Sequence, residues 1–183
     1  MAQIEWGRRF DGWHHLCPSA AIDTKAMPVT RSICDEPWDL VNKRREGKHP
    51  MVLFQFVTSF SGEFVHVSGP YKGAAADVTV ARDSVFDLLK PGERLLADAG
   101  YRAEAEGHCI VAPGGRSVAM SAEDRKFAGE VHSARQIVER ALKRLHDFAF
   151  THNTWRYDAK FMHECVLVAC KLCNVYLHYH PLN

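Results

Sequence analysis

The chain is short of several things that would classify it quickly. It has no uninterrupted apolar run of the ~18–20 residues that a membrane helix requires. The most apolar stretch, Cys165 to Leu177, is shorter and carries Lys171. The opening MAQIEWGRRFDGWHH is charged and aromatic and has no apolar core of a secretory leader, so no leader is expected. Six cysteines in that context point to a reducing interior rather than a disulfide scaffold. Net charge is nearly absent, at +1, which excludes a bulk polycation; a nucleic-acid surface would have to be a local patch. Repeats and low-complexity segments are missing too.

What is present is an ordinary globular chain. Its 183 residues suffice for one full-sized core, and 46% apolar residues argue against disorder. Strands come first and helices last. Ser19–Asp23 reads as a short strand ending in an acid. Met51–Ser59 and Glu63–Ser68 read as a hairpin joined at Phe60-Ser61-Gly62. Ala74–Leu89 reads as a helix stopped by Pro91-Gly92. Arg94–Asp98 is a second short strand ending in an acid, and Cys109–Ala112 is a last strand before Pro113-Gly114-Gly115. Ser121, with Asp124 three residues on, opens a helix expected to reach about Phe150, with a break near Gly129. Tyr157–Leu177 is a second, mostly apolar helix. The order predicts an α/β fold, a mixed sheet with helices on its faces, over residues 19–180 behind an N-terminal extension of residues 1–18.

Asp23 and Asp98 stand at the ends of two such strands, and neighbouring strands lie only ~4.8 Å apart. Adjacent carboxylates repel, and a hard divalent cation relieves the repulsion. On the long helix, Ala134, Ile137, Val138, Ala141, Leu142, Leu145, Phe148 and Ala149 share one face. His132, Arg135, Glu139 and His146 form a second, polar ridge beside it. An Arg135–Glu139 pair at i,i+4 on a solvated helix explains part of that ridge equally well.

Three blocks then acquire a joint meaning. AIDTKAMPV (21–29), LLADAGY (95–101) and HSARQIVERALKRL (132–145) resemble, in order, the three acid-bearing blocks of the DDE superfamily endonucleases, in particular the PIF/Harbinger transposase type. GPYKGAAADVTVARDSVF (69–86) is similar to the family's glycine loop and acid-led helix and puts Asp77 at an additional acid. ACKLCN (169–174) resembles a helix that commonly ends in His-Asn. The resemblance implies an RNase H-like fold and a metal-dependent nuclease. Asp23, Asp98 and Glu139 would be both catalytic residues and ligands of two Mg²⁺ or Mn²⁺ ions. His132, Arg135, Arg140, Lys143 and His146 would support the site and bind DNA. His132, Arg135, Glu139 and His146 also match the spacing of a Tyr-Arg-Glu-Lys signature of related transposases, with histidines at its two ends.

The implied partners are DNA and a separate Myb-like DNA-binding protein, with a homodimer left open and no membrane. The implied location is the nucleus in a eukaryote and otherwise the cytoplasm. The alternative is a domesticated or truncated relative that binds DNA or protein without catalysis; Thr24-Lys25, where the family often has Gly-Thr, and His146 are departures in that direction. A zinc reading of His163, Cys165, Cys170 and Cys173 is weaker than a core of buried thiols. Lys43, Arg44, Arg45 and Lys48 form a basic turn. Trp13, His14 and His15 have no assigned role.

Overall fold

The computed structural model describes residues 4–12, 18–30, 50–114 and 120–182. Cys17, Cys34, Gly115, the tryptophan and histidines at 13–15 and the basic turn at 43–48 lie outside the described residues.

Five strands form one sheet: β1 (Ala20–Pro28), β2 (Met51–Thr58), β3 (Phe64–Lys72), β4 (Leu95–Ala97) and β5 (Cys109–Val111). Their order is β3-β2-β1-β4-β5. β1, β2 and β3 pair antiparallel, whereas β4 joins β1, and β5 joins β4, in parallel. This is the expected mixed sheet, and the fold is RNase H-like.

Helices α2 (Ala122–Leu145) and α3 (Ala159–Tyr179) cover one face. Val131, Ala134 and Val138 of α2 pack on Ala21, Leu96 and Ile110. Met162, Val166, Ala169 and Cys170 of α3 pack on Val52, Phe54 and Phe56. The other face carries α1 (Asp77–Arg82) and short 3-10 turns, with Ala81, Val85, Phe86 and Tyr101 against Ile22, Val57 and Leu95. β2 is buried along its whole length because both faces are covered.

Several elements differ from the sequence reading. β1 does not stop at Asp23; it runs on to Pro28 because β2 offers partners from Ala21↔Thr58 to Pro28↔Met51. β3 passes through Gly69-Pro70 to Lys72, which an edge strand tolerates since it need not donate on its outer side. The helix expected over Ala74–Leu89 is only Asp77–Arg82, followed by a 3-10 turn at Phe86–Leu88. Ser84 ends it by turning its hydroxyl to the Val80 carbonyl and the Gln55 amide oxygen. α2 opens with the expected capping box between Ser121 and Asp124 and is unbroken at Gly129. It stops at Leu145, so Phe148 and Ala149 are not on it; Thr151 donates its hydroxyl to the Leu145 carbonyl that the helix leaves open.

Two tethers fix the periphery. Asn174 of α3 accepts from Phe64 N–H at 2.8 Å and donates to its carbonyl at 2.9 Å, closing the β3 edge. In the N-terminal extension, the 3-10 helix Trp6–Phe10 sits against β3 and the loop before β4. Trp6 meets His66 edge-on, and Arg9 pairs with Glu93.

Candidate active site

The parallel pairing of β1 with β4 ends at Ala21↔Leu96. Two residues beyond each of these stand Asp23, still within β1, and Asp98, just past the end of β4. Asp98 caps the 3-10 helix Ala99–Glu104, accepting from Gly100 N–H at 2.7 Å, so its carboxylate is oriented by backbone. Asp23 lies inside β1 on the α2 side. It accepts from Thr24 N–H at 2.8 Å and from Arg135 Nη2 at 3.3 Å. Burial pushes the Asp23 carboxyl up to about 6; Arg135 and the Thr24 amide oppose this, while Asp98 and Asp77 add to it.

A polar layer lies beneath. Asp77, 5% exposed in the first turn of α1, accepts from Thr24 Oγ1 at 2.7 Å. Gln55, fully buried in β2, donates to Tyr101 Oη at 3.2 Å and accepts from Ser84 Oγ at 2.8 Å. Burial pushes the Tyr101 phenol well above 10, and Asp77, Asp23 and Asp98 push the same way, so it stays neutral. Gly100 is required by close approach: a Cβ there would lie 2.6 Å from Asp77 Oδ2 and 2.9 Å from Asp98 Oδ1. Sequence reasoning reached Asp77 only by resemblance, missed Gln55 and Tyr101, and counted Thr24 as a departure. One signal was available for Gln55: it is the single amide in an otherwise apolar strand, MVLFQFVT.

α2 crosses this site obliquely. Arg135 touches Asp23, and one turn on Arg135 Nη1 is 4.0 Å from Glu139 Oε1. Glu139 is 61% exposed, so the helix pair that accounted for part of the ridge is present but loose. His146 caps the helix end with Lys25 Nζ 3.2 Å from its Nδ1. His132 and Lys143 are exposed, and Arg140 donates to Gln136 at 2.9 Å. The structure thus brings Asp23, Asp98, Asp77 and Arg135 together, with Glu139 at their solvent side and His132, Arg140 and Lys143 further out.

Among the described residues, no three acids, histidines or cysteines sit close enough to close around a metal ion. The donors do suit a hard cation: they are carboxylates, and burial raises the Asp23 carboxyl despite the opposing charge of Arg135. The cysteines on α3 go elsewhere. Cys170 and Cys173 are buried core thiols pushed up by burial, and His163 Nδ1 meets the Gly69 carbonyl at 2.6 Å.

The model of the DDE superfamily endonuclease family matches residues 22–174. The chain belongs to this family. The matched span opens one residue before Asp23 and closes on Asn174, the residue that ties α3 to the sheet edge. No match was found among curated proteins or among solved structures. DDE endonuclease domains are nuclease-type enzymes acting on DNA and generally use divalent metals.

Proposed function

We propose that the chain is the catalytic domain of a divalent-metal-dependent DNA endonuclease or transposase of the PIF/Harbinger type. Asp23, Asp98 and Glu139 would hold two Mg²⁺ or Mn²⁺ ions. The observation that supports this best is the pair Asp23–Asp98, Asp23 within β1 and Asp98 just past β4, its parallel neighbour, with the Asp23 carboxyl raised to about 6 by burial first and by Asp98 and Asp77 beside it. The reaction joins a water oxygen to phosphorus and breaks the bond from phosphorus to the 3′ oxygen. Bound divalent ions supply the activated water and the charge that stabilises the leaving oxygen. The chain's own part is orientation. The Gly100 amide fixes Asp98, and the Thr24–Asp77 hydrogen bond fixes the strand that carries Asp23. Arg135 holds Asp23 by one 3.3 Å contact that an arriving cation can replace. Arg135, His132, Arg140, Lys143 and His146 line the approach for DNA phosphates. On this reading a Myb-like partner supplies sequence recognition, and in a eukaryotic cell the domain works in the nucleus.

The non-catalytic reading keeps one observation in its favour: Arg135 stands between Asp23 and Glu139, which leaves the three acids unconverged. A supercoiled-plasmid nicking assay with Mn²⁺ and Mg²⁺ decides. The nuclease reading expects nicking by the wild type and none by Asp98→Asn. A folded wild type that binds the metal without nicking selects the other.

A further inference from the structure

Helix α3 is apolar on two sides, and the sheet uses one of them. Met162, Val166, Ala169, Cys170 and Cys173 are buried in the core. A second stripe faces outward: Phe161, Cys165, Val168, Leu172, Val175 and Tyr179. Its members follow one another at steps of 4, 3, 4, 3 and 4 residues, which is the repeat of a coiled-coil seam. At ~100° per residue the six fall within about 80° of the helix circumference. Cys165 is half-buried, and the other five keep 40–72% of their surface exposed. Apolar side chains scattered singly over a surface need no partner; a continuous strip along five turns of helix does.

The two flanks of this stripe differ. On one, Ala169 and Tyr176 lead down to Phe148 and Phe150 of the turn after α2. Two shallow hollows, of about 260 and 380 Å³, open between the helix and that turn. Phe148 and Leu172 line both, and Arg144 and Asp147 close one end. On the other flank stand Glu164, Lys171 and His178, seven residues apart. This division selects a direction of pairing. Two copies of α3 side by side in parallel would lay the charged flank of one over the apolar flank of the other. Antiparallel, about a two-fold axis, apolar flank meets apolar flank, and the charged flanks form a rim that water reaches.

The area is sufficient for a second copy. A covered aromatic side chain takes up roughly 150–250 Å². The exposed parts of the stripe and of Tyr176 therefore come to on the order of 500 Å² per copy, and a pair buries about 1,000 Å², the lower bound for a specific interface. We propose that the outer stripe of α3 is a dimerisation surface, pairing antiparallel with α3 of a second copy so that side chains of each stripe enter the hollows beside Phe148 of the other. The inference stands independently of the nuclease reading.

Sedimentation velocity of the full chain over a range of concentrations tests it. The wild type shifts from monomer to dimer with a dissociation constant on the order of 10 μM, as expected at this size of interface. Leu172→Glu places an unpaired charge in the seam twice and raises that constant at least about tenfold. Leu172 is half exposed in the monomer, so helix content by circular dichroism stays that of the wild type. Val168→Lys, in the same stripe, gives the same result, and Lys171→Ala on the charged flank leaves association unchanged. A wild type that stays monomeric overturns the second copy, and uptake by that monomer of an apolar helical peptide, lost in Leu172→Glu, assigns the stripe to a different protein instead. Association that survives both Leu172→Glu and Val168→Lys overturns the stripe as the interface. On mild oxidation, a disulfide between copies that Cys165→Ser removes brings like positions together and overturns the antiparallel arrangement.

Discussion

Two arginine–carboxylate pairs sit by this sheet; both arginines favour the ionised acid, yet the two carboxyls move in opposite directions. At the N-terminal clamp, Arg9 grips Glu93 side-on, Nε to Oε1 at 2.5 Å and Nη2 to Oε2 at 3.0 Å. Both side chains are nearly sealed from solvent, and the guanidinium also lies over the Trp6 and Phe10 rings. Burial alone would push Glu93 up, but the hydrogen bonds from Arg9, the Lys90 amide and Ser19 outweigh it and carry the carboxyl down to about 2. At the acidic cleft, burial pushes Asp23 up, Arg135 opposes it through a single 3.3 Å contact without outweighing it, Asp98 and Asp77 add to the rise, and the carboxyl stands at about 6. A completed pair stabilises a fold. An incomplete one leaves its acid under the cost of burial, which is felt whenever that acid is ionised.

The largest stability effect should come from breaking the completed pair. Arg9→Ala strands Glu93 and is expected to lower unfolding free energy by about 3–5 kcal/mol at pH 7 in urea titrations. Because the Glu93 carboxyl is depressed, its contribution is present above its ordinary 4.5 and is lost as pH falls toward 2, so the gap to wild type should narrow there. A gap independent of pH would mean that the clamp is held by its aromatic contacts instead.

Asp23→Asn should act with the opposite sign. The folded-state carboxyl sits above its unfolded value of 3.8, so the wild type loses stability as pH rises from about 4 through about 6. At pH 8, without metal, Asn should be the more stable by up to about 3 kcal/mol, and the two proteins should converge below pH 4. An Asn variant less stable than wild type at pH 8 would show that Arg135 already completes the pair.

Thr24→Val removes the hydroxyl that Asp77 accepts from and should cost about 2 kcal/mol, with the melting temperature as the readout. The smallest effect concerns His146. An unperturbed histidine loses its charge at about pH 6.5, and with it any hold on a DNA phosphate. Lys25 beside the ring moves that window below the ordinary 6.5. His146→Lys should flatten the affinity–pH profile across it, and an unchanged profile would remove His146 from DNA binding.

Much of this was legible along the chain. The capping box at Ser121, the hairpin at Gly62, the short strands Leu95–Ala97 and Cys109–Val111 and the apolar helix ending near Leu177 all depend on local turn chemistry and periodicity. The acids were legible through ordered motifs. The length of β1 was not, because Thr24-Lys25-Ala26 becomes a strand only by pairing with Gln55, Phe54 and Leu53. Nor was the end of α2, set by a threonine six residues beyond Leu145. The N-terminal residues read as an extension, since an ion pair between Arg9 and Glu93 spans a distance in sequence that no local pattern records.

The acidic cleft divides the same way. The sequence by itself determined which acids exist, that Asp23 belongs to an apolar strand and Asp98 directly follows one, and that Glu139 lies beside the buried stripe of a helix, because periodicity and short motifs are carried by neighbours in the chain. Only the tertiary structure decided that Asp23 stands within β1, that Asp77, Gln55 and Tyr101 underlie it, that Arg135 of α2 reaches Asp23 while Glu139 stays exposed, and that Lys25 meets His146. The physical reason is that charge, burial and hydrogen bonding are settled between groups tens of residues apart, and strand register and helix crossing bring those groups within reach of one another.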